Sequence, residues 1–289
     1  MPEWIIRLIE TAEEMPALEA LQRLTWPGSE TDIIPAHLLL AVVHNGGLAL
    51  GAYAAGAGQD PTLLVGAVFG FPGFYATPDG PRLKHHSHIL AVHPDWRSRG
   101  LGFALKRAQW QMVRRQGIDR ITWTYDPLLS RNAHLNLARL GAVCSTYRRA
   151  EYGEMRDGLN VGLPSDRFQV DWWVNTKRVE RRLSRRSRPA LTLDHYRTAG
   201  ALLLESPPDR EPAARPPGHI PSLTGALLLV EIPSDFLALK DSDLALARDW
   251  RFYGREIFET AFAAGYLVTD FVHDAGRSFY VLTHGESTL

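Results

Sequence analysis

The stretch that decides the fold is Leu83-Lys84-His85-His86-Ser87-His88-Ile89-Leu90-Ala91-Val92-His93-Pro94-Asp95-Trp96-Arg97-Ser98-Arg99-Gly100-Leu101-Gly102-Phe103. Its first part, through Val92, reads as a strand that His93-Pro94 ends. After Gly100, Leu101, Leu105, Ala108 and Met112 fall at i, i+4, i+7 and i+11, one face of a helix that Gly117 stops. A helix start presents backbone N–H groups without carbonyl partners and a partial positive charge. Glycines let an anion approach that backbone, and Arg97 and Arg99 add charge-assisted hydrogen bonds. Strand, loop and helix together read as a cradle for a pyrophosphate.

Two phosphate-binding patterns are disfavoured. A P-loop needs Lys-[Ser/Thr] after its glycines, and none follows here. A dinucleotide fingerprint needs Gly-x-Gly-x-x-Gly directly after the strand, but its third glycine position is Leu105.

Outward from this stretch, the pattern predicts a strand at Ile5 to Ile9, a helix opened by Thr11 and Glu14 and running to Leu24, and a helix at Ile34 to Val43. Strands follow at Leu48 to Ala55 and Leu63 to Phe71, joined through a turn at Gly58 to Pro61. Beyond the central helix come a strand at Arg120 to Tyr125, a helix at Ser130 to Leu140, and strands at Val143 to Tyr152 and Gln169 to Val174. The expected class is α/β (α+β), a mixed, mostly antiparallel sheet with one helical crossover. Residues 1–174 are expected as one domain and 175–289 as an extension. The extension holds a helix at Asn175 to Arg188, a Pro-rich connector at 206–221, and a strand-helix-strand unit with a further strand. That unit repeats the element order of 83–125. The order reads either as a degenerate second half or as a coincidence of common arrangements.

Composition narrows the function classes. In 289 residues, 32 Lys and Arg balance 32 Asp and Glu, so the chain is not built chiefly to coat nucleic acid. No run approaches the ~20 apolar residues that span a bilayer. The single cysteine, Cys144, precludes an internal disulfide. With no export-like N-terminus, the expected compartment is cytoplasmic.

Arg97-Ser98-Arg99-Gly100-Leu101-Gly102 resembles the Arg/Gln-x-x-Gly-x-Gly/Ala signature of the GNAT superfamily of N-acyltransferases. The context is similar too: Val92-His93-Pro94 before the motif, Asn132-Ala133 and Arg139-Leu140-Gly141 after the next strand. The resemblance covers about residues 4 to 155. It implies an acyl-CoA co-substrate, acetyl-CoA or succinyl-CoA, and no metal. Arg97, Ser98, Arg99, Gly100, Leu101, Gly102 and Phe103 would hold its pyrophosphate. Its pantetheine would run between the Leu83 to Val92 and Arg120 to Tyr125 strands, on the backbone of Leu90, Ala91 and Val92. Asn132, Asn136 and Arg139 form an i, i+4, i+7 stripe that reads either as facing the thiol arm or as a solvated helix face. Where many members carry a tyrosine as general acid, this sequence has Leu137; Tyr147 is a substitute acid.

Acyl transfer to an amine needs a base. His88 and then His86 are the first choices, because alternate strand residues share a face and an ordinary imidazole titrates near 6.5. Each also reads as a hydrogen-bonded structural histidine. Glu151, on the strand after Cys144, is another candidate base. The two histidines lack a third metal ligand, and no acyl-enzyme nucleophile is evident. Six arginines from Arg178 to Arg188 read as a solvated face rather than a nucleic-acid surface, and of Trp172-Trp173 one should enter the core.

The expected function is an acyl-CoA-dependent N-acyltransferase using direct attack in a ternary complex. Its partner would be a small-molecule amine, an amino acid or a relative, with neither nucleic acid nor membrane involved, and a homodimer is compatible. Similar long GNAT-like proteins are associated with N-acylamino acid metabolism, including N-succinylation. The alternatives are a protein N-acetyltransferase and a non-catalytic acyl-CoA-binding module.

Overall fold

The computed structural model describes residues 3–28, 30–56, 60–155, 161–184, 191–207 and 215–284. They fall into two compact units that part between Trp123 and Thr124, earlier in the chain than the expected division after residue 174.

In the first unit the strands are β1 (Trp4–Leu8), β2 (Leu48–Ala54), β3 (Leu64–Thr77), β4 (Gly80–Val92) and β5 (Arg120–Tyr125), which carries the chain into the second unit. They lie in sequence order, antiparallel from β1 to β4, with β5 parallel to β4. The helices are α1 (Met15–Thr25), α2 (Ala36–His44) and α3 (Leu101–Arg115), the last being the crossover that a parallel pair requires.

The β3–β4 hairpin is longer than the expected strands Leu63 to Phe71 and Leu83 to Val92: β3 continues to Thr77, β4 starts at Gly80, and Pro72 pairs with His85. The start of α1 is also later than expected. Glu14 accepts from the N–H groups of Glu10 and Thr11 and pairs with Arg7, so the turn at Thr11 precedes the helix instead of opening it.

One face of this sheet is covered by α1 and α2, through Met15, Leu18, Leu21 and Leu39 against Tyr53, Phe69, Ile89 and Ala91. Burial of each such side chain contributes on the order of 2 kcal/mol. On the other face, Leu101 and Leu105 of α3 lie against Gly66 of β3, where a Cβ would sit 3.0 to 3.1 Å from their methyls. A larger residue at 66 would lift the helix off the sheet.

The buried face of α3 differs from the expected stripe. Ala108 and Met112 are only half-buried, and the core positions are Leu101, Leu105, Lys106, Gln109 and Val113. Two polar residues thus occupy sites that an apolar pattern would not mark.

The second unit contains β6 (Val143–Arg148), β7 (Arg167–Trp173), β8 (Leu202–Leu204), β9 (Leu227–Ile232), β10 (Tyr266–Asp274) and β11 (Arg277–His284). Their order is β7-β6-β10-β11-β9-β8, antiparallel except for the β8–β9 pair. Its helices are α4 (Ser130–Ala133, continued as a π-turn over His134–Arg139), α5 (Lys177–Leu183), α6 (Leu193–Thr198), α7 (Phe236–Ser242) and α8 (Leu244–Ala263). Phe168 packs edge-on against Phe258, Tyr125 and Tyr280 at its centre.

Three expectations change here. β6 stops at Arg148, because Ala150 takes a left-handed φ of +44°, so Glu151 lies in a turn and not on a strand. The π-turn shifts the phase of α4: Asn136 is buried, Asn132 half-buried and Arg139 exposed, so the three do not form one solvated stripe. β9 and β10 flank β11, whereas β4 and β5 are neighbours, so the repeated element order does not repeat the sheet order.

Two of the three arginines of α5 bind inward, while Arg181 is exposed. Arg178 donates to the carbonyls of Gly141 and Thr269, and Arg182 pairs with Asp270 at 2.5 Å. The rest of that basic run, 185–188, lies outside the described residues, as do 208–214 of the connector and 57–59 of the expected turn. Trp172 is fully buried, its indole donating to the Leu140 carbonyl, and Trp173 is half-buried.

Candidate functional site

The loop between β4 and α3 is built by its own backbone. A short 3-10 turn, Pro94–Trp96, follows His93, whose imidazole Nδ1 accepts from the Asp95 N–H at 3.3 Å. Arg97 reaches back to the Val92 carbonyl at 3.4 Å, and Arg99 lies 5.2 Å over the Trp96 ring. Ser98 (φ +64°) and Gly100 (φ +84°) both enter the left-handed region, with Arg99 between them in an ordinary φ. Such alternation curls successive N–H groups into a concave surface suited to an anion.

Gly100 is the N-cap of α3, and a Cβ there would meet nothing within 4 Å, so glycine serves the backbone angle and leaves the approach open. No side chain caps this helix, and its first turn, Leu101 to Ala104, holds no acid. Arg97, Ser98, Arg99 and Gly100 are all exposed. The ingredients of an anion site are therefore in place: an open helix end, a curled backbone and two arginines.

In the described ladders Leu90, Ala91 and Val92 pair with Val68, Ala67 and Gly66 of β3. The β4–β5 ladder consists of His85–Ile121 and His86–Thr122, which leaves the backbone of Leu90 to Val92 outside any described ladder on its β5 side.

A register shift in the β3–β4 pairing sets the histidines. Phe69 pairs with Ile89 but Gly70 with Ser87, so β4 carries one extra residue, His88. His86, opposite Phe71, thereby shares a face with His88: their rings are 5.8 Å apart, and the Phe71 ring is 5.2 and 5.9 Å from them. His86 is half-buried, with Nδ1 3.5 Å from Thr122 Oγ1, and His88 is exposed. Burial, followed by the nearby His88, Lys84 and Lys106, pulls His86 down to about 4; partial loss of water around its ring lowers His88 as well. Both are neutral at pH 7, further from titration there than an ordinary imidazole.

The opposite face of β4 carries a buried polar cluster that sequence reading missed. Lys106 Nζ donates to Ser87 Oγ and Gln109 Oε1, each at 2.9 Å, and lies 3.7 Å over the Trp123 ring. Gln109 Nε2 is 3.1 Å from His85 Nε2. The available signal was a histidine and a serine on one strand face opposite two polar residues on α3, which reads by default as solvated.

Among second-unit candidates, the Tyr147 hydroxyl donates to Asp166 Oδ2 at 2.9 Å, and Arg255 grips both oxygens of that carboxylate at 2.9 and 3.0 Å. Burial and the Asp166 charge push the phenol well above its ordinary value. Glu151 is exposed, its N–H donating to the Ser165 carbonyl. Leu137 is fully buried. Among the described residues, no group of three His, Cys, Asp or Glu is arranged to hold a metal, and no helix is long and apolar enough to cross a membrane.

No curated protein matches the chain in sequence. Among solved structures, Arabidopsis thaliana NAA60 in complex with acetyl-CoA aligns with a TM-score of 0.47 and 15% identity over 60% of this chain and 99% of its own. Aminoglycoside 6′-acetyltransferase type Ii aligns at 0.44 and 18%, over 60% and 99%. The NatC complex bound to Gag peptide and CoA aligns at 0.44 and 16%, over 59% and 98%. The model of the acetyltransferase (GNAT) family matches residues 16–141, a span that includes β4, the arginine-glycine loop and α3. This chain carries a GNAT-family acetyltransferase domain at residues 16–141.

Proposed function

We propose that the protein is an acyl-CoA-dependent N-acyltransferase that delivers an acetyl or succinyl group to the amine of a small molecule, an amino acid or a close relative. The observation that carries this reading is the uncapped N-terminus of α3 behind the left-handed Ser98 and Gly100, flanked by two exposed arginines. Arg97, Ser98 and Arg99 and the N–H groups that open α3 would hold the pyrophosphate, and the backbone of Leu90 to Val92 the pantetheine amides. Acyl-CoA supplies an activated thioester carbonyl. A backbone N–H near Leu90 to Val92 would donate to its oxygen and stabilise the charge that develops there.

His88 is the preferred base. It is neutral at pH 7 and exposed, so it can take, directly or through water, the proton whose removal frees the acceptor nitrogen's lone pair for attack. His86, held to about 4, is a weaker base and acts beside it. The amine nitrogen bonds to the acyl carbon, the carbon–sulfur bond breaks, and the thiolate takes its proton from solvent, since Leu137 offers none. The chain would act in the cytoplasm.

Burial of Leu137 favours a second reading, an acyl-CoA-binding module without turnover. One experiment separates the two. Thermal-shift titration with acetyl-CoA, succinyl-CoA, CoA, NADPH and ATP should show stabilisation by CoA species alone. A ligand at a hundredfold excess over Kd adds about 2.7 kcal/mol, and Gly100→Asp should abolish that gain. Thiol release over an amine panel then marks the enzyme, and binding without release marks the module. No response to any CoA species sinks both.

A further inference from the structure

We propose that Lys106 and Gln109 of α3 form a positioning device for the His86–His88 pair, holding the β4 irregularity through Ser87 and His85. The proposal rests on the acyl-transfer reading and adds to it residues that touch no substrate.

The bulge is where β4 is least constrained by its ladder: two residues, Ser87 and His88, stand opposite the single Gly70. Something else must fix its shape, and the α3 side chains supply it. Lys106 is 2% exposed, with Nζ on Ser87 Oγ, Gln109 Oε1 and the Trp123 ring face. Lys106 Nζ donates to Gln109 Oε1, which leaves the Gln109 NH2 to turn to His85; burial pulls the lysine well below its ordinary pKa, and the amine keeps N–H donors in either protonation state. His85 Nε2 then accepts, and the ring proton sits on Nδ1, which has no hydrogen-bond partner among the described residues. Both residues that flank His86 are thereby tied to one helix.

The space for this arrangement is created at Gly70. A Cβ there would overlap His85 Nε2 and the His86 carbonyl oxygen, so the imidazole of His85 lies where a side chain would otherwise be. Burial of a lysine is costly unless its donors are satisfied. An apolar residue at 106 would fill the site more cheaply but would leave Ser87 and Gln109 without their donor. The same helix opens on the arginine-glycine loop. α3 therefore fixes the anion cradle and the histidine face relative to one another.

The test is Lys106→Met, with Ser87→Ala and Ser87→Thr as companions. In the free protein, imidazole NMR should show the His86 and His88 signals displaced and their titration midpoints changed in Lys106→Met and Ser87→Ala, with His37 and His44 unmoved. The groups that face this pair electrostatically are Lys84 and Lys106, besides the two histidines themselves. Ser87→Thr keeps the hydroxyl and should restore the wild-type signals. In turnover, kcat should fall tenfold or more while the acyl-CoA KM changes less than threefold, with Ser87→Thr rescuing kcat. Unchanged His86 and His88 signals in folded Lys106→Met and Ser87→Ala overturn the proposal, as does a loss of Tm with kcat per folded molecule unchanged. Should Lys106→Met fail to fold, Ser87→Ala carries the test. Absence of wild-type turnover with every acyl-CoA would count against the acyl-transfer reading, and the NMR result would still decide whether the network sets the pair.

Discussion

The N-termini of α3 and α8 invite comparison, because each opens the longest described helix of its unit and the strand-helix-strand order read from the sequence matches the two, although α7 stands between β9 and α8. The α3 end has a glycine N-cap in a left-handed conformation, no side-chain cap and two exposed arginines beside it. The α8 end is closed by Asp243, whose carboxylate accepts from the Leu246 N–H at 2.9 Å. An aspartate there neutralises the helix dipole and occupies a free donor, leaving little for an outside anion. Element order alone therefore does not make a site. The residue at the N-cap decides whether a helix end is spent internally or left for a ligand.

The largest expected effect comes from giving α3 the end that α8 has. Gly100→Asp places a carboxylate where the phosphate charge should sit and forces an L-residue to φ +84°. Acyl-CoA affinity should fall at least a hundredfold, equivalent to about 2.7 kcal/mol, read by calorimetric titration. Retained affinity would mean that the open helix end is not the anion site.

Next in size is Gly70→Ala in the β3–β4 hairpin. Overlap with a backbone carbonyl cannot be relieved by a rotamer change, so a loss of about 3 kcal/mol in denaturant unfolding is expected. Gly254 of α8 is the contrast. Its added Cβ would lie 3.5 Å from Leu128, an ordinary contact, so Gly254→Ala should stabilise by about 0.8 kcal/mol through helix propensity.

Acid should destabilise the first unit by a comparable amount. His85 is held to about 3 and His86 to about 4, both below the 6.5 of an unfolded imidazole. Between pH 6.5 and 4 the unfolded chain binds protons that the folded one refuses. Stability is therefore full above 6.5 and falls as the pH drops through this window. His86 alone contributes up to about 3 kcal/mol. Urea midpoints measured from pH 7 to 4 should decline, and less steeply in His86→Asn; equal slopes would place the acid sensitivity elsewhere. Asp243→Ala, which removes the α8 cap, should cost only about 1 kcal/mol and leave acyl-CoA affinity unchanged.

Much of this was legible along the chain. Leu101 and Leu105 mark the helix, Gly117 its end, and His93-Pro94 the end of β4, because periodicity and backbone restriction act locally. Other features depend on distant partners. The bulge at His88 exists only against Gly70. Lys106 and Gln109 look like exposed helix residues until Ser87 and His85 are packed opposite them. Glu151 left its expected strand because one left-handed residue, Ala150, ends β6 first.

The sequence by itself determined the strand-loop-helix at 83–115, the basic glycine loop within it and the resemblance that those residues carry. These follow from which residues a helix start, a tight turn or an anion tolerates, and neighbours in sequence set them. Only the tertiary structure decided which side chains of α3 and β4 are buried, how far His86 falls from its ordinary value, and that β9 and β10 are parted by β11 where β4 and β5 are adjacent. Burial, register and strand order are properties of contacts between residues far apart in the chain, and no local pattern encodes them.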